Sequence, residues 1–437
     1  MDISSPTDSS ARVCCRNLSP EAALLLRFKS HSEECGYNAH TTAMNLSALR
    51  QFVSYLQQRN ITAGAVHPSD VASFLRMRLR KFRAGFHRSP KNAVSWQRQY
   101  AAPINRFLRL VQSQWPPSRP PGSDRERFHQ EITKAYGRWL TEINGFSKGT
   151  LEKNSRIARL LLQWLGARAD RQSLTCLTVV DVDDFLAWRM PTLRRASRYS
   201  ESVSLRSFLR YLYFAKVLQR DLSTALRGPI IYKYDEIPRA FTEPQIKAML
   251  SVTRRDHTSK GQRDYAILLM LATYGLRAGE VVGLRLKDID WRGERLHVCR
   301  SKTRTESTLP LVVPVGQALL KYLKDGRPKT EFRQVFLRSR APIKPLSNVS
   351  SLNVIIGTRM KEAGVQVDGR HGSHAFRFAR ALSLLRASVS LKAIGDLLGH
   401  RRAASTEVYL RLQTEDLRAI GLDVPGKEID AGMARQR

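Results

Sequence analysis

Between residues 371 and 409 the chain gathers side chains suited to phosphodiester chemistry. His374 and Arg377 stand three apart, His400 follows a Leu-Leu-Gly sequence, and Tyr409 comes nine residues after it. A guanidinium and two imidazoles beside a phenol are the groups with which a protein can attack a phosphodiester without a metal ion. Far upstream, Arg277 lies in TYGLRAGE, directly after a glycine that should break a helix, with Glu280 one turn later to orient it. Two guanidiniums from distant parts of the chain, converging on one phosphate, would hold both non-bridging oxygens and stabilise a pentacoordinate transition state. Lys302 falls in an expected hairpin, eight residues before Pro310, where a turn can enter a DNA groove and offer an ammonium to the leaving 5′ oxygen. Tyr409 is the candidate nucleophile. Its attack would leave a 3′-phosphotyrosine that keeps the bond energy, so rejoining would need no nucleotide. No carboxylate cluster of the two-metal type accompanies these residues, and neither metal nor cofactor is expected.

Taken singly, these residues say little. In a chain with 73 Lys and Arg, one basic side chain is ordinarily solvated or a phosphate contact, and a tyrosine near the end of a chain ordinarily packs. The joint spacing carries the signal: Arg-x-x-Glu after Gly-Leu, Lys in a hairpin, His-x-x-Arg, then Leu-Gly-His with its His 23 residues after that Arg, then Tyr.

The elements that must position these groups are mostly helical. At 437 residues, 42% of them hydrophobic, the chain has room for two to four packed domains. The charge of +35, from 73 basic against 38 acidic residues, predicts a polyanionic partner, and double-stranded DNA fits best. A membrane fits poorly, because the basic residues adjoin no apolar anchor and no apolar run reaches about 18 residues. Five cysteines, odd in number and unpaired in spacing, read as reduced thiols in a cytosol; the expected location is the bacterial cytoplasm, in association with the nucleoid.

Periodicity divides the chain into a mobile tail (1–19), a helical block (20–115), a Pro-rich linker (116–127), a second helical block (128–232), a third block (238–425) and a tail (426–437). In the first block Met44, Leu46, Leu49, Phe52, Val53 and Leu56 predict one buried stripe, and Ser69 or Asp70 a helix cap. Pro103 is expected to interrupt the last helix, and RKFRAGFHR to form a basic loop. Arg76, Arg80 and Lys81 are candidate DNA contacts there, as are Arg206 and Arg210 in the second block. That second block parallels the first: Trp164 answers Tyr55, the run Asp181, Val182, Phe185, Leu186 answers Asp70, Val71, Phe74, Leu75, and SFLRYL answers RFLRLV. Two unrelated bundles of similar pattern are the plainer alternative to a duplicated DNA clamp. In the third block Thr242 with Gln245 predicts a capping box, Gly275 a helix end, and residues 291–314 strand, turn and strand, with Thr303 to Glu306 near the tip.

The third block resembles the catalytic domain of the tyrosine recombinase (phage integrase) family in the order and spacing of all these residues. The resemblance implies a mainly α fold: two helical core-binding-like (SAM-like) domains, then a mostly helical catalytic domain with a small antiparallel sheet. It implies that Arg277 and Arg377 clamp the scissile phosphate, Lys302 protonates the leaving oxygen, His374 assists proton removal, His400 bonds a phosphate oxygen and Tyr409 forms the covalent link. Glu280 matches the family's supporting acidic position. Phe378 stands where many relatives have a second His, a change of packing rather than chemistry. The resemblance further implies a C-shaped clamp on DNA, dimers on each site, a tetramer in synapsis and a Holliday junction, with accessory recombinases as further partners. The C-terminal segment would dock on a neighbouring protomer or on its own domain. The first block would be a second clamp, an arm-site binder or a protein contact. Two other readings compete with a site-specific recombinase acting in integration, excision or transposition. One is a type IB topoisomerase-like enzyme, the other a non-cutting architectural DNA-binding protein of the same fold.

Overall fold

The computed structural model describes residues 19–117, 120–143, 145–230, 240–300, 305–346, 349–367, 372–400 and 406. Two compact units divide the chain, one formed by residues 1–117 with 237–437 and one by residues 118–236. Among the described residues no helix is long and apolar enough to cross a membrane.

The first unit begins with four helices, α1 (Pro20–Glu34), α2 (Ala39–Gln57), α3 (Pro68–Phe86) and α4 (Ala93–Val111). Ser19, assigned to a tail by its composition, caps α1 instead. The stripe of α2 is buried at Leu49, Phe52, Val53 and Leu56, against Phe28, Phe74 and Phe107 from the other three helices. Met44 is an exception at 55% exposure. Five residues of helix separate it from Leu49, about 140° around the axis, so it faces away from the stripe. Asp70 works from the third helical position, accepting the backbone N–H of His67 at 2.8 Å, and His67 is the cap residue of α3. Pro103 does not divide α4, which runs unbroken for 19 residues. Burial of the proline ring in the bundle offsets the backbone hydrogen bond it removes. The segment expected as a basic loop is helical through Phe86, and the chain turns at His87, whose φ is +48°.

The second unit holds α5 (Asp124–Glu142), α6 (Lys148–Leu165), α7 (Val179–Arg189) and α8 (Arg195–Phe214). Helix α5 starts inside the expected linker, because Ser123 caps it and Asp124 and Glu126 sit in its first turn, where the helix dipole favours carboxylates. The parallel with the first bundle extends to detail. Asp181 accepts the N–H of Thr178 at 2.9 Å from the same third position as Asp70. Val182, Phe185, Phe208 and Leu209 are buried as Val71, Phe74, Phe107 and Leu108 are. Tyr55 meets Phe74 edge-on at 5.4 Å between centroids, and Trp164 meets Phe185 at 5.7 Å. Cap, core and aromatic pair recur together, which two unrelated bundles would not be expected to do.

The rest of the first unit packs α9 (Glu243–Arg255), α10 (Ser259–Tyr274), α11 (Ala278–Gly283), α12 (Val313–Lys321), α13 (Val349–Glu362), α14 (Ser373–Arg386) and α15 (Leu391–Leu398) around a small sheet. The sheet is antiparallel in the order β1 (Ile289–Asp290), β2 (Arg295–Arg300), β3 (Thr305–Pro310). Glu306, placed near the hairpin tip by its sequence, is a strand residue opposite Cys299. Thr242 and Gln245 form the expected reciprocal cap. Leu268 and Leu271 of α10, Leu296 and Val298 of β2, Leu319, Ile356 and Phe376 form one apolar core. Within it Arg359, 2% exposed, is held at 2.8 Å by both Asp264 and Asp256, which fixes α13 to α10.

Candidate active site

Helix α10 ends at Gly275, whose φ of +63° is the left-handed conformation that glycine adopts without strain. A Cβ there would come 2.8 Å from Leu398. Just beyond, Arg277 opens α11 and is gripped twice by Glu280, through its backbone N–H and through Nη1, each at 2.8 Å. Glu280 is itself 5% exposed, so its charge acts in a medium where an ion pair is strong. Arg277 Nη2 donates to the Gly399 carbonyl at 3.2 Å.

Arg377, from the start of the second turn of α14, enters from another side and is 4% exposed. It donates from Nη1 to the Gly275 carbonyl at 2.9 Å and from Nη2 to the Leu398 carbonyl at 2.6 Å. Its Nη2 also meets His400 Nε2 at 2.8 Å. Guanidinium has no acceptor, so that nitrogen of His400 must accept, and the ring proton belongs on Nδ1. There it donates to Thr406 Oγ1 at 2.9 Å. Burial first, then the cations Arg377, Arg277 and Arg300, push the His400 pKa down to about 4, so the ring is neutral near pH 7.

The third cation, Arg300, was not singled out from the sequence. It ends β2, is fully buried, and donates to Ser307 Oγ at 2.7 Å, to the Leu397 carbonyl at 2.8 Å and to the Leu398 carbonyl. Glu280 lies 3.9 Å away. Arg300 therefore ties the hairpin to the turn that carries His400. The Arg277 side chain keeps 19% of its surface exposed and that of Arg300 none, so Arg277 can reach a ligand while Arg300 supports from behind.

Arg277, Glu280, Arg377 and His400 thus come together from α11, α14 and the turn after α15. His374 is exposed one turn before Arg377 on α14. Lys302 and Tyr409, with the segments 301–304 and 407–437 that contain them, lie outside the described residues. Phe378 packs against Ala381, Ile394 and Leu398, a packing role as expected. Of the candidate DNA contacts, Arg76, Arg80, Lys81 and Arg210 are exposed, whereas Arg206 is half-buried and gives a hydrogen bond to the Leu226 carbonyl at 2.8 Å.

Residues 239–416, which span this whole arrangement, match the model of the phage integrase family. A protein of Sinorhizobium fredii described as an integrase/recombinase, y4rA, is 30% identical over 408 residues, 93% of this chain and 95% of its own. The chain belongs to the phage integrase family. Tyrosine recombinase XerD of Proteus mirabilis is 30% identical over 290 residues, 64% of this chain and 88% of its own. In fold, the chain resembles a lambda integrase dimer bound to a COC′ core site, with a TM-score of 0.51 at 17% identity over 75% of this chain and 88% of that one. This phage integrase is accordingly an enzyme, a tyrosine recombinase acting in site-specific recombination.

Proposed function

We propose that this recombinase cleaves and rejoins DNA through a 3′-phosphotyrosine on Tyr409, exchanging strands by way of a Holliday junction to move a mobile element. The meeting of Arg277, Arg377 and the neutral His400 in one place carries the reading, because two guanidiniums and an imidazole there can surround one phosphate. Tyr409 Oη attacks phosphorus as the bond to the 5′ oxygen breaks. His374 takes the phenolic proton and Lys302 supplies one to the leaving oxygen. Arg277 and Arg377 hold the non-bridging oxygens, and His400 gives a hydrogen bond to one of them once Arg377 turns from it to the phosphate and the ring proton passes from Nδ1 to Nε2.

The substrate is duplex DNA with inverted-repeat or core sites, bound by a dimer at each site and a tetramer in synapsis. The lambda integrase of similar fold is itself a dimer on a core site. Residues 238–425 form the catalytic domain, 128–232 the core-binding domain, and 20–115 an additional DNA-contacting bundle. An accessory recombinase joins where the element encodes one.

The test uses duplexes from the ends of the protein's own element, nicked so that cleavage is trapped, with a chelator present. A denaturant-resistant adduct mapped to Tyr409, and lost in Tyr409→Phe with binding kept, is the expected result. Tight binding without an adduct on several candidate ends would favour a non-cutting DNA-binding protein.

A further inference from the structure

We propose that the distal part of the α3–α4 hairpin is a binding site for unpaired DNA bases, which stack on Phe86. The proposal deepens the reading of the first bundle as a DNA-contacting module and rests on it. Helix α3 has 19 residues where its counterpart α7 has 11, so the first bundle carries an extension that the second does without. The extension is not needed to close a bundle of this design. Phe82, Phe86 and Trp96 all stand outside the bundle's core.

These rings form a ladder. Phe86 meets Phe82 at 4.8 Å between centroids, Phe82 meets Trp96 at 5.5 Å, and Trp96 meets Tyr100 at 5.1 Å. At its outer end Phe86 is 61% exposed. One exposed ring by itself calls for no partner, but at the end of a ladder of rings and among cations it is a face on which a base can stack. Charge says what the partner is. Residues 71–123 contain eleven Lys and Arg and no Asp or Glu, and Arg80, Arg83, Arg88, Lys91 and Arg98 around the ladder are exposed. Cations beside an exposed aromatic face are the means by which proteins hold single strands, the cations tracking phosphates and the rings receiving bases. An intact duplex offers its phosphates here but keeps its bases stacked. Strand exchange by a recombinase produces unpaired bases for this site to take.

The experiment measures binding of the full-length protein to a fluorescein-labelled oligothymidylate of about 20 nucleotides, and to an abasic strand with the same phosphates. Wild type should prefer the strand with bases by about tenfold. Phe86→Ala should erase that preference, and Phe86→Trp should keep it. Because Phe86 is exposed, the melting temperature should not change in either variant. Equal affinity of wild type for the two strands, or an undiminished preference in Phe86→Ala, overturns the proposal. Trapped adducts on nicked duplex are scored in parallel. Adduct without base preference sinks the stacking site alone, and base preference without adduct sinks the cleavage mechanism alone.

Discussion

Arg300→Met would remove the support behind the active-site turn while filling most of its volume. Among the described residues, the hydrogen bonds to Ser307 Oγ, Leu397 O and Leu398 O go with the guanidinium. The Leu398 carbonyl still receives Arg377 Nη2 at 2.6 Å, so among the described residues the bond to the Leu397 carbonyl is the one not replaced, at a cost of about 1–3 kcal/mol. Loss of the Ser307 contact adds about 1 kcal/mol. Glu280 loses its more distant cation but keeps Arg277, and relief from burying a guanidinium works in the opposite direction. The two costs together come to about 2–4 kcal/mol, and the relief brings the net destabilisation to about 1–3 kcal/mol, read by urea unfolding. Because the same carbonyls belong to the turn that delivers His400, single-turnover adduct formation should slow by about 10- to 100-fold while DNA binding holds. Arg300→Lys should rescue little, since one ammonium cannot serve three acceptors so arranged. Unfolding within about 0.5 kcal/mol of wild type together with cleavage within about twofold would refute the assignment of Arg300 as the clamp on this turn.

The turn itself offers a paired test. Gly399 and Gly364 share a left-handed φ, +65° and +64°, but a Cβ on Gly399 would lie 2.2 Å from Arg300 Nη1 while one on Gly364 meets nothing within 4 Å. Gly364→Ala should cost about 1 kcal/mol of strain, and Gly399→Ala several times that with loss of cleavage; similar unfolding midpoints would contradict the geometry. The pH dependence of stability follows from His400. Its pKa is about 4 in the fold against an ordinary 6.5, so between those values the unfolded chain binds the extra proton and stability falls as pH drops. Solvent screening of a half-buried ring keeps the loss to about 1–2 kcal/mol at the acid end; it should be absent in His400→Phe, and a flat wild-type profile from pH 6.5 to 4.5 would count against the neutral ring.

Much of this was legible in the sequence because the controlling interactions are local. The Thr242–Gln245 cap, the helix end at Gly275 and the Arg277–Glu280 pair each act within one helical turn, so spacing alone reveals them. The same local signals at Ser123 and Ser19 show where a boundary drawn on composition goes astray. Pro103 marks the limit of local rules, since burial in the bundle outweighs one missing hydrogen bond. Arg300 and Thr406 lay beyond reach for another reason. Arg300 meets partners about 98 residues away, and Thr406 matters only because Arg377 has already fixed which nitrogen of His400 carries a proton. In a chain with 73 basic residues, nothing in composition distinguishes the few arginines that are sealed inside, Arg300 and Arg359 among them.

The agreement of the two bundles on either side of the α3 extension has a use in protein engineering. Phe74 and Phe185 are matched core positions 111 residues apart, and Phe107 and Phe208 are matched 101 apart. Between these anchors the first copy spends ten more residues than the second, so the chain contains, in its own second bundle, a naturally folded blueprint for trimming its first. Grafting residues 186–207 in place of 75–106 would join buried phenylalanines to buried phenylalanines at both splice points. The reciprocal graft would give the second bundle the longer hairpin, so a matched pair of chimeras follows from the shared core positions.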